Sequence, residues 1–239
     1  IIAEIASNWE GDLKIAKEII KKSKEAGADA VKFQMWRATD LYTKDHPNWE
    51  QIKKSEISFA MAKNMKKFSD KEKIEFFCSA FYPEAVKYLS KLGVKKFKVA
   101  SRTCKFIDPY SLEVLKEKNQ SKKEIFISMG MGGNKNKILK IFNKKKATFC
   151  YCISEYPLKI EKINWNEAKK YDGFSDHTMG ILAPIVFTIL KNQRQTNKIY
   201  IEKHVKLINS KGPDASTSIT TEQLAEMIKQ IRVIEKVKI

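Results

Sequence analysis

Arginine is scarce in this chain of 239 residues: Arg37, Arg102, Arg194 and Arg232 are the four among 46 Lys+Arg. A nucleic-acid surface gathers its charge into a patch and uses the guanidinium fork for bidentate contacts. Here the formal excess of +18 sits on lysines spread along amphipathic stretches, as at Lys21, Lys22 and Lys24, or Lys66, Lys67, Lys71 and Lys73. That pattern reads as a solvated surface with no nucleic-acid partner, although its field would attract a phosphorylated ligand. Cysteine is sparse too. Cys78, Cys104, Cys150 and Cys152 form no CxxC, and no histidine lies at zinc-finger spacing. A zinc finger is excluded, and the expectation is buried, reduced thiols in a cytoplasmic protein. No apolar run approaches the roughly 18–20 residues that span a bilayer. The opening segment 1–6 is short and holds Glu4, unlike a signal peptide, so no membrane partner is expected. Internal repeats, Gly/Ser linkers and low-complexity tracts are missing as well.

What is present is an alternation. Short β-branched or aromatic runs at 1–7, 29–35, 75–80, 96–101, 124–129, 147–153, 172–176 and 198–204 predict strands. Lys/Glu-rich amphipathic stretches at 12–26, 60–72, 83–92, 108–118, 134–144, 163–170, 180–192 and 220–236 predict helices. Eight such units predict a single α/β domain over 1–239, a (β/α)8 TIM barrel. The caps agree: Asp12 opens the first helix and Gly27 closes it, Pro83 suits a first turn, and Thr220 or Thr221 opens the last helix. Segment 36–59, with Trp36, Tyr42, Pro47 and Trp49, is long for a βα connection and reads as a recognition loop or lid on the catalytic face.

Strand parity then picks out polar residues that point the wrong way for a core. Alternate residues of a strand face opposite sides. If Ala3, Ile5, Val31, Phe33, Phe97, Val99, Phe174 and Ile201 face the helices, then Glu4, Lys32, Gln34, Lys98, Ser175, His177, Glu202 and His204 face the barrel axis. The same rule turns Ser79, Ser128 and Ser154 inward. Burying an unpaired ammonium is expensive. Two lysines, two glutamates and two histidines converging from separate strands make sense as a solvated site for an anion and a metal. Most lie late in their strands, the catalytic end of this fold. His177 and His204 close strands seven and eight, which are neighbours in a barrel. Neutral imidazole suits Mn, Fe, Co, Ni or Zn, and two protein ligands leave room for water and substrate. Asp176 or Glu202 could orient a ring; two unrelated surface histidines are the alternative.

These residues sit within a longer resemblance. IIAEIASNWEGDLKIAKEII with EAGADAVKFQ, then KVAS, ISMGM, CISEYP, SDHTMGILAP and EKHVKL…GPD follow one another in the order of the N-acetylneuraminate (sialic acid) synthase family. What the resemblance implies is a barrel that joins phosphoenolpyruvate to N-acetylmannosamine or a related amino-sugar aldehyde. Lys32 and Lys98 would hold the phosphoenolpyruvate anion, and Ser79, Ser101, Ser128, Ser154 and Ser175 would help bind it. His177 and His204 would bind a divalent metal, typically Mn2+. Gln34, Tyr156 and Asp214 would contact the sugar. Glu4, with Lys32 and Lys98, would make up the catalytic set, Glu4 as a proton-transfer group. The implied partners are the two substrates, with a homodimer as the assembly left open.

The sequence departs from the family's pattern at four places. Asn8-Trp9-Glu10-Gly11 stands for NHxG, Ser79-Ala80-Phe81 for STP, and Ser128-Met129-Gly130-Met131 for STGM. Ser101-Arg102-Thr103 stands for SGE, so a carboxylate is lost and a cation arrives. The family's C-terminal antifreeze-like domain, which supplies an Arg to the partner's site in dimers, is not among these residues; Arg102 is the candidate stand-in. Two other readings stay open: a class I aldolase using Lys32 or Lys98 as Schiff base, and a non-catalytic barrel that binds a sugar or a partner.

Overall fold

The computed structural model describes residues 1–142, 147–192 and 199–237. Along the chain run β1 (Ile2–Glu4), α1 (Leu13–Glu25), β2 (Ala30–Met35), α2 (Ala38–Leu41), α3 (Trp49–Lys54), α4 (Phe59–Lys71), β3 (Glu75–Ala80), α5 (Pro83–Lys91), β4 (Lys96–Val99) and α6 (Ser101–Cys104). They continue with α7 (Ser111–Gln120), β5 (Glu124–Ser128), α8 (Lys135–Ile141), β6 (Ala147–Cys152), α9 (Trp165–Ala168), β7 (Gly173–Asp176), α10 (Leu182–Asn192), β8 (Tyr200–Lys206), β9 (Ile219–Thr220) and α11 (Thr221–Ile234). Strands β1 to β8 pair in sequence order, all parallel, and β1 pairs back onto β8. The sheet is therefore a closed barrel wrapped by helices, the (β/α)8 TIM barrel that the alternation predicts. The short β9 adds two parallel rungs outside β8, Val205 against Ile219 and Lys206 against Thr220.

The strand faces divide as parity requires. Outward residues such as Phe33, Phe76, Phe97 and Phe174 are buried under the helices, with Phe33 and Phe76 packed at 5.7 Å. Inside the barrel, Phe126 of β5 stacks on Tyr200 of β8 at 3.8 Å. This pair fills the axis and gives the polar residues above it an apolar floor. On the outer face beside the two histidines, Asp176 and Lys203 are register partners and form a fully buried ion pair at 2.6 Å.

The boundaries show where local chemistry overrides pattern. Strand β1 ends at Glu4, short of the expected residue 7, because Ala6 takes φ 46° and turns the chain. Strand β4 stops at Val99, and Ser101 already belongs to α6. Helix α7 begins at Ser111 and not at 108, since Pro109 disfavours helical backbone at Asp108. The expected helix 163–170 shrinks to α9, four residues capped by the Asn164 side chain. The end of the expected helix at 143–144 and the start of the expected strand at 198 lie outside the described residues.

Segment 36–59 folds as two short helices, α2 and α3. It anchors itself through buried Trp36, Ile52 and Ile57 and through Glu56, which accepts from the Ala38 amide. At the other end of the chain, Thr220 and Gln223 form a reciprocal capping box on α11. Thr220→Ala should cost about 1 kcal/mol. Urea unfolding checks this: an unchanged midpoint would mean that the cap contributes nothing.

Candidate active site

Register brings the polar residues together before any side chain is considered. Glu4 lies beside Lys32 on one flank and His204 on the other. Gln34 pairs with Ser79, Ser79 with Lys98, Cys152 with Ser175, and Ser175 with Glu202. Above this ring opens a cavity of about 450 Å³, within the size range of small-molecule sites. Lys32, Gln34, Ser79, Lys98, Ser101, Ser128, Ser154, Tyr156, Ser175, His177, His204 and Asp214 all line it. Glu4 does not line it. It lies fully buried beneath, accepting from Gln34 Nε2 at 2.8 Å and ion-paired to Lys32.

Two lysines face the cavity, and each is held differently. Lys32 donates to Ser79 Oγ at 3.1 Å while touching Glu4. Lys98 donates to both oxygens of Glu202, at 2.8 and 2.9 Å. Glu202 also accepts from Ser175 Oγ at 2.8 Å and from the Tyr200 hydroxyl at 2.9 Å. Burial alone would depress the Lys98 pKa, but the Glu202 carboxylate outweighs it and raises the pKa above the ordinary lysine value. Burial likewise works against the Glu202 carboxylate, and Lys32 and Lys98 overcome it to hold its pKa far below the usual range. Glu4 goes the other way: burial raises its pKa, against the pull of Lys32, and the neighbouring Glu202 adds to the rise. Two neighbouring carboxyl groups, Glu202 on the cavity wall and Glu4 beneath it, are thus pushed apart in proton affinity, the pattern that separates acid from base roles.

Ser128 Oγ is buried without a hydrogen-bond partner, an available donor on the cavity wall. Ser101 Oγ is occupied, accepting from the Gly130 amide at 2.9 Å. Gly130 itself allows a close approach, since a Cβ there would meet the Cys152 carbonyl oxygen at 2.8 Å. Asp214 accepts from the Ser7 amide at 3.0 Å, and burial raises its pKa. The Tyr156 ring leans on His177 at 4.2 Å and reaches toward His204 at 6.2 Å.

The two histidine rings lie 5.5 Å apart, centroid to centroid. His177 Nδ1 is 2.7 Å from the Ile153 carbonyl oxygen, so Nδ1 carries a proton there and Nε2 is the nitrogen left for a ligand. That is the tautomer of a metal-bound imidazole. Burial lowers the ring's pKa, but Cys152 and that carbonyl outweigh it and raise the pKa above the ordinary value. The orienting group is thus a backbone carbonyl, whereas Asp176 or Glu202 were the candidates from sequence; Asp176 is engaged by Lys203 and Thr178, and Glu202 by Lys98. His204 Nδ1 is buried with no partner. Burial, with His177 and Lys32 close by, keeps its pKa well below the ordinary value, so the ring stays neutral as a ligand must. Among the described residues no group of three or more His, Cys, Asp or Glu is placed to hold an ion. Any divalent metal here would take its protein donors from the two imidazoles, its remaining positions falling to water or substrate.

Some of the site goes beyond the residues singled out from sequence. Glu202, noted for its inward parity but given no binding role, is the hub of the polar network. Cys152 was expected to be a buried core thiol, yet it is half-buried and lines the cavity, with Sγ 3.9 Å from His177 Nδ1. It shares the parity of Ser154, so the same rule pointed to it. Tyr42 reaches the cavity from the 36–59 segment, a contact that strand parity could not reveal. Arg102 also lines the cavity, but its guanidinium is committed to Asp108 at 2.7 to 2.9 Å and to the Leu41 carbonyl at 3.3 Å. Thr103, at the site of the family's glutamate, is buried and uncharged. Trp9, in place of the family's histidine, is fully buried in the core.

The NeuB family model matches residues 19–238. The chain belongs to the NeuB family. It is 34% identical to an uncharacterised protein of Methanocaldococcus jannaschii, over 99% of this chain and 71% of that one. It is 31% identical to the N,N'-diacetyllegionaminic acid synthase of Campylobacter jejuni, over 99% of this chain and 76% of the relative. Among solved structures, the N-acetylneuraminic acid (sialic acid) synthetase of Leptospira borgpetersenii, in complex with citrate, superposes with a TM-score of 0.86. That match has 26% identity and covers 98% of this chain and 83% of that one. Membership of NeuB makes this barrel an enzyme of the sialic acid synthase type, and carbohydrate biosynthesis its setting. Among its described residues no helix is long and apolar enough to cross a membrane.

Proposed function

We propose that this NeuB-family barrel condenses phosphoenolpyruvate with N-acetylmannosamine or a related amino-sugar aldehyde and water, giving a nonulosonic acid and phosphate. The observation that carries this reading is the convergence of Lys32, Lys98 and an unpartnered Ser128 hydroxyl beside two histidines in one cavity. Charge-assisted donors of this kind suit a carboxylate and a phosphate on one small molecule. In the proposed reaction C3 of phosphoenolpyruvate bonds to the aldehyde carbon, whose oxygen takes a proton. Water adds at C2, and the C2–O bond to phosphate breaks.

Lys32 and Lys98 bind and orient the trianion, and Ser79, Ser101, Ser128, Ser154 and Ser175 shape its seat. A Schiff-base role suits Lys98 poorly, because Glu202 keeps it protonated. Glu4, buried beneath the cavity with its raised pKa, would exchange a proton through its contact with Lys32. Gln34, Tyr156 and Asp214 form the sugar side, with the Arg102–Asp108 pair as its rim. His177 and His204 would hold a divalent metal, Mn2+ being the first to test, and such an ion would polarise the aldehyde oxygen.

Purified protein with Mn2+ should release phosphate from phosphoenolpyruvate when a mannosamine-type sugar is added. EDTA should abolish the release and fresh Mn2+ restore it. No phosphate with any such sugar would overturn the reading.

A further inference from the structure

Lys118 has no part in the reaction just described, yet its side chain is among the most deeply buried in the molecule, at 1% exposure. It projects from α7 to the catalytic ends of two strands. Its ammonium donates to the Ala80 carbonyl at 2.9 Å and to the Lys98 carbonyl at 2.8 Å. These carbonyls belong to β3 and β4, whose ladder has only the rungs Cys78–Phe97 and Ser79–Lys98. The lysine therefore bridges the two strands where their own pairing stops. One carbonyl belongs to Lys98 itself, and the other follows Ser79.

The charged and titratable groups facing Lys118 are Cys104 of α6, Lys32 of β2, Cys78 of β3 and Lys98 of β4. Among the described residues no salt bridge joins Lys118 to a carboxylate. An ammonium buried without one is costly, and here two backbone carbonyls hold it. A plain core position in a helix would hold leucine or methionine more cheaply, so the geometry points to a task at the strand ends.

We propose that Lys118 is a positioning residue for the anion half of the site: it locks the ends of β3 and β4 together, fixes Ser79 and Lys98 against the bound ligand, and sets a third amine near those of Lys32 and Lys98. This rests on the reading of the cavity as a phosphoenolpyruvate site. Burial holds the Lys118 pKa down to about 7. An arriving anion then favours the charged form, so ligand binding draws a proton onto the protein.

The test is titration calorimetry of the full chain with phosphoenolpyruvate at pH 8, in HEPES and in Tris. These buffers differ in ionisation enthalpy, so the difference in heat counts protons. Wild type should take up a fraction of a proton on binding. Lys118→Met should bind phosphoenolpyruvate about tenfold more weakly and lose that uptake. Its KM for the sugar should stay within about twofold. Lys118→Arg, which retains donors and a permanent charge, serves if the methionine variant fails to fold: it should bind ligand but take up no proton. Wild-type affinity with unchanged proton uptake in either variant overturns the proposal. No binding by wild type itself would instead remove the phosphoenolpyruvate reading, and this inference with it.

Discussion

Replacing Lys98 with methionine should lower phosphate release by about 10²–10³-fold, the usual cost of removing one preorganised donor from a developing anion. The same change should destabilise the barrel. Lys98 satisfies both oxygens of Glu202, which is 4% exposed. Removing one partner of a buried pair costs about 3–5 kcal/mol. Glu202 keeps Ser175, Tyr200 and, at 3.8 Å, Lys32, so the loss should fall near the lower figure. Adding Glu202→Gln should return part of the stability and none of the activity, since the carboxylate left uncompensated is then gone. The pH dependence follows in sign. A carboxylate with a depressed folded pKa stabilises above its unfolded value and loses that contribution as pH falls. The gap between wild type and Lys98→Met should therefore narrow below about pH 4. Urea unfolding at pH 7 and pH 4, with phosphate release alongside, reads all three effects. Activity within tenfold of wild type would remove Lys98 from contact with the ligand.

Period-2 parity finds the axial residues where a strand has one clearly apolar face. Phe33, Phe97, Phe174 and Ile201 leave no doubt which way Lys32, Lys98, Ser175 and Glu202 point, and a one-residue slip would bury charge under the helices. The resemblance to sialic acid synthases added Ser101, Tyr156 and Asp214, which lie beyond the strand ends where parity has no meaning. Three things were not legible. The roles of Glu202 and Lys118 depend on which carbonyls, carboxylates and ammonium groups meet across twenty or more residues of sequence, as with Lys118 and Lys98. The 36–59 segment yields no period, because its two helices are too short to show one. Arg102 was the candidate stand-in for the arginine of the family's C-terminal domain, but Asp108, six residues on, takes its guanidinium. A charge in the sequence does not disclose its partner.

His204→Ala should abolish metal-dependent turnover while leaving the barrel folded. No described residue hydrogen-bonds the His204 ring, and its Nδ1 is buried unpaired. Truncation therefore forfeits packing but also removes an unsatisfied polar atom worth about 1–3 kcal/mol. The two terms oppose, and thermal unfolding without metal should shift little. Activity is another matter. A Lewis acid contributes several kcal/mol to the transition state, and each 1.4 kcal/mol is about a factor of ten in rate, so a fall of at least about 10²-fold is expected. Metal binding supplies a readout independent of turnover. A ligand that binds only the folded state raises the unfolding temperature, so Mn2+ should stabilise wild type and not the variant. His177→Ala should behave alike toward metal but also free the Ile153 carbonyl, whose partner it removes, and so cost more stability. Equal Mn2+ stabilisation of wild type and His204→Ala would dismiss the two-histidine centre and return the cavity to an anion site without a metal.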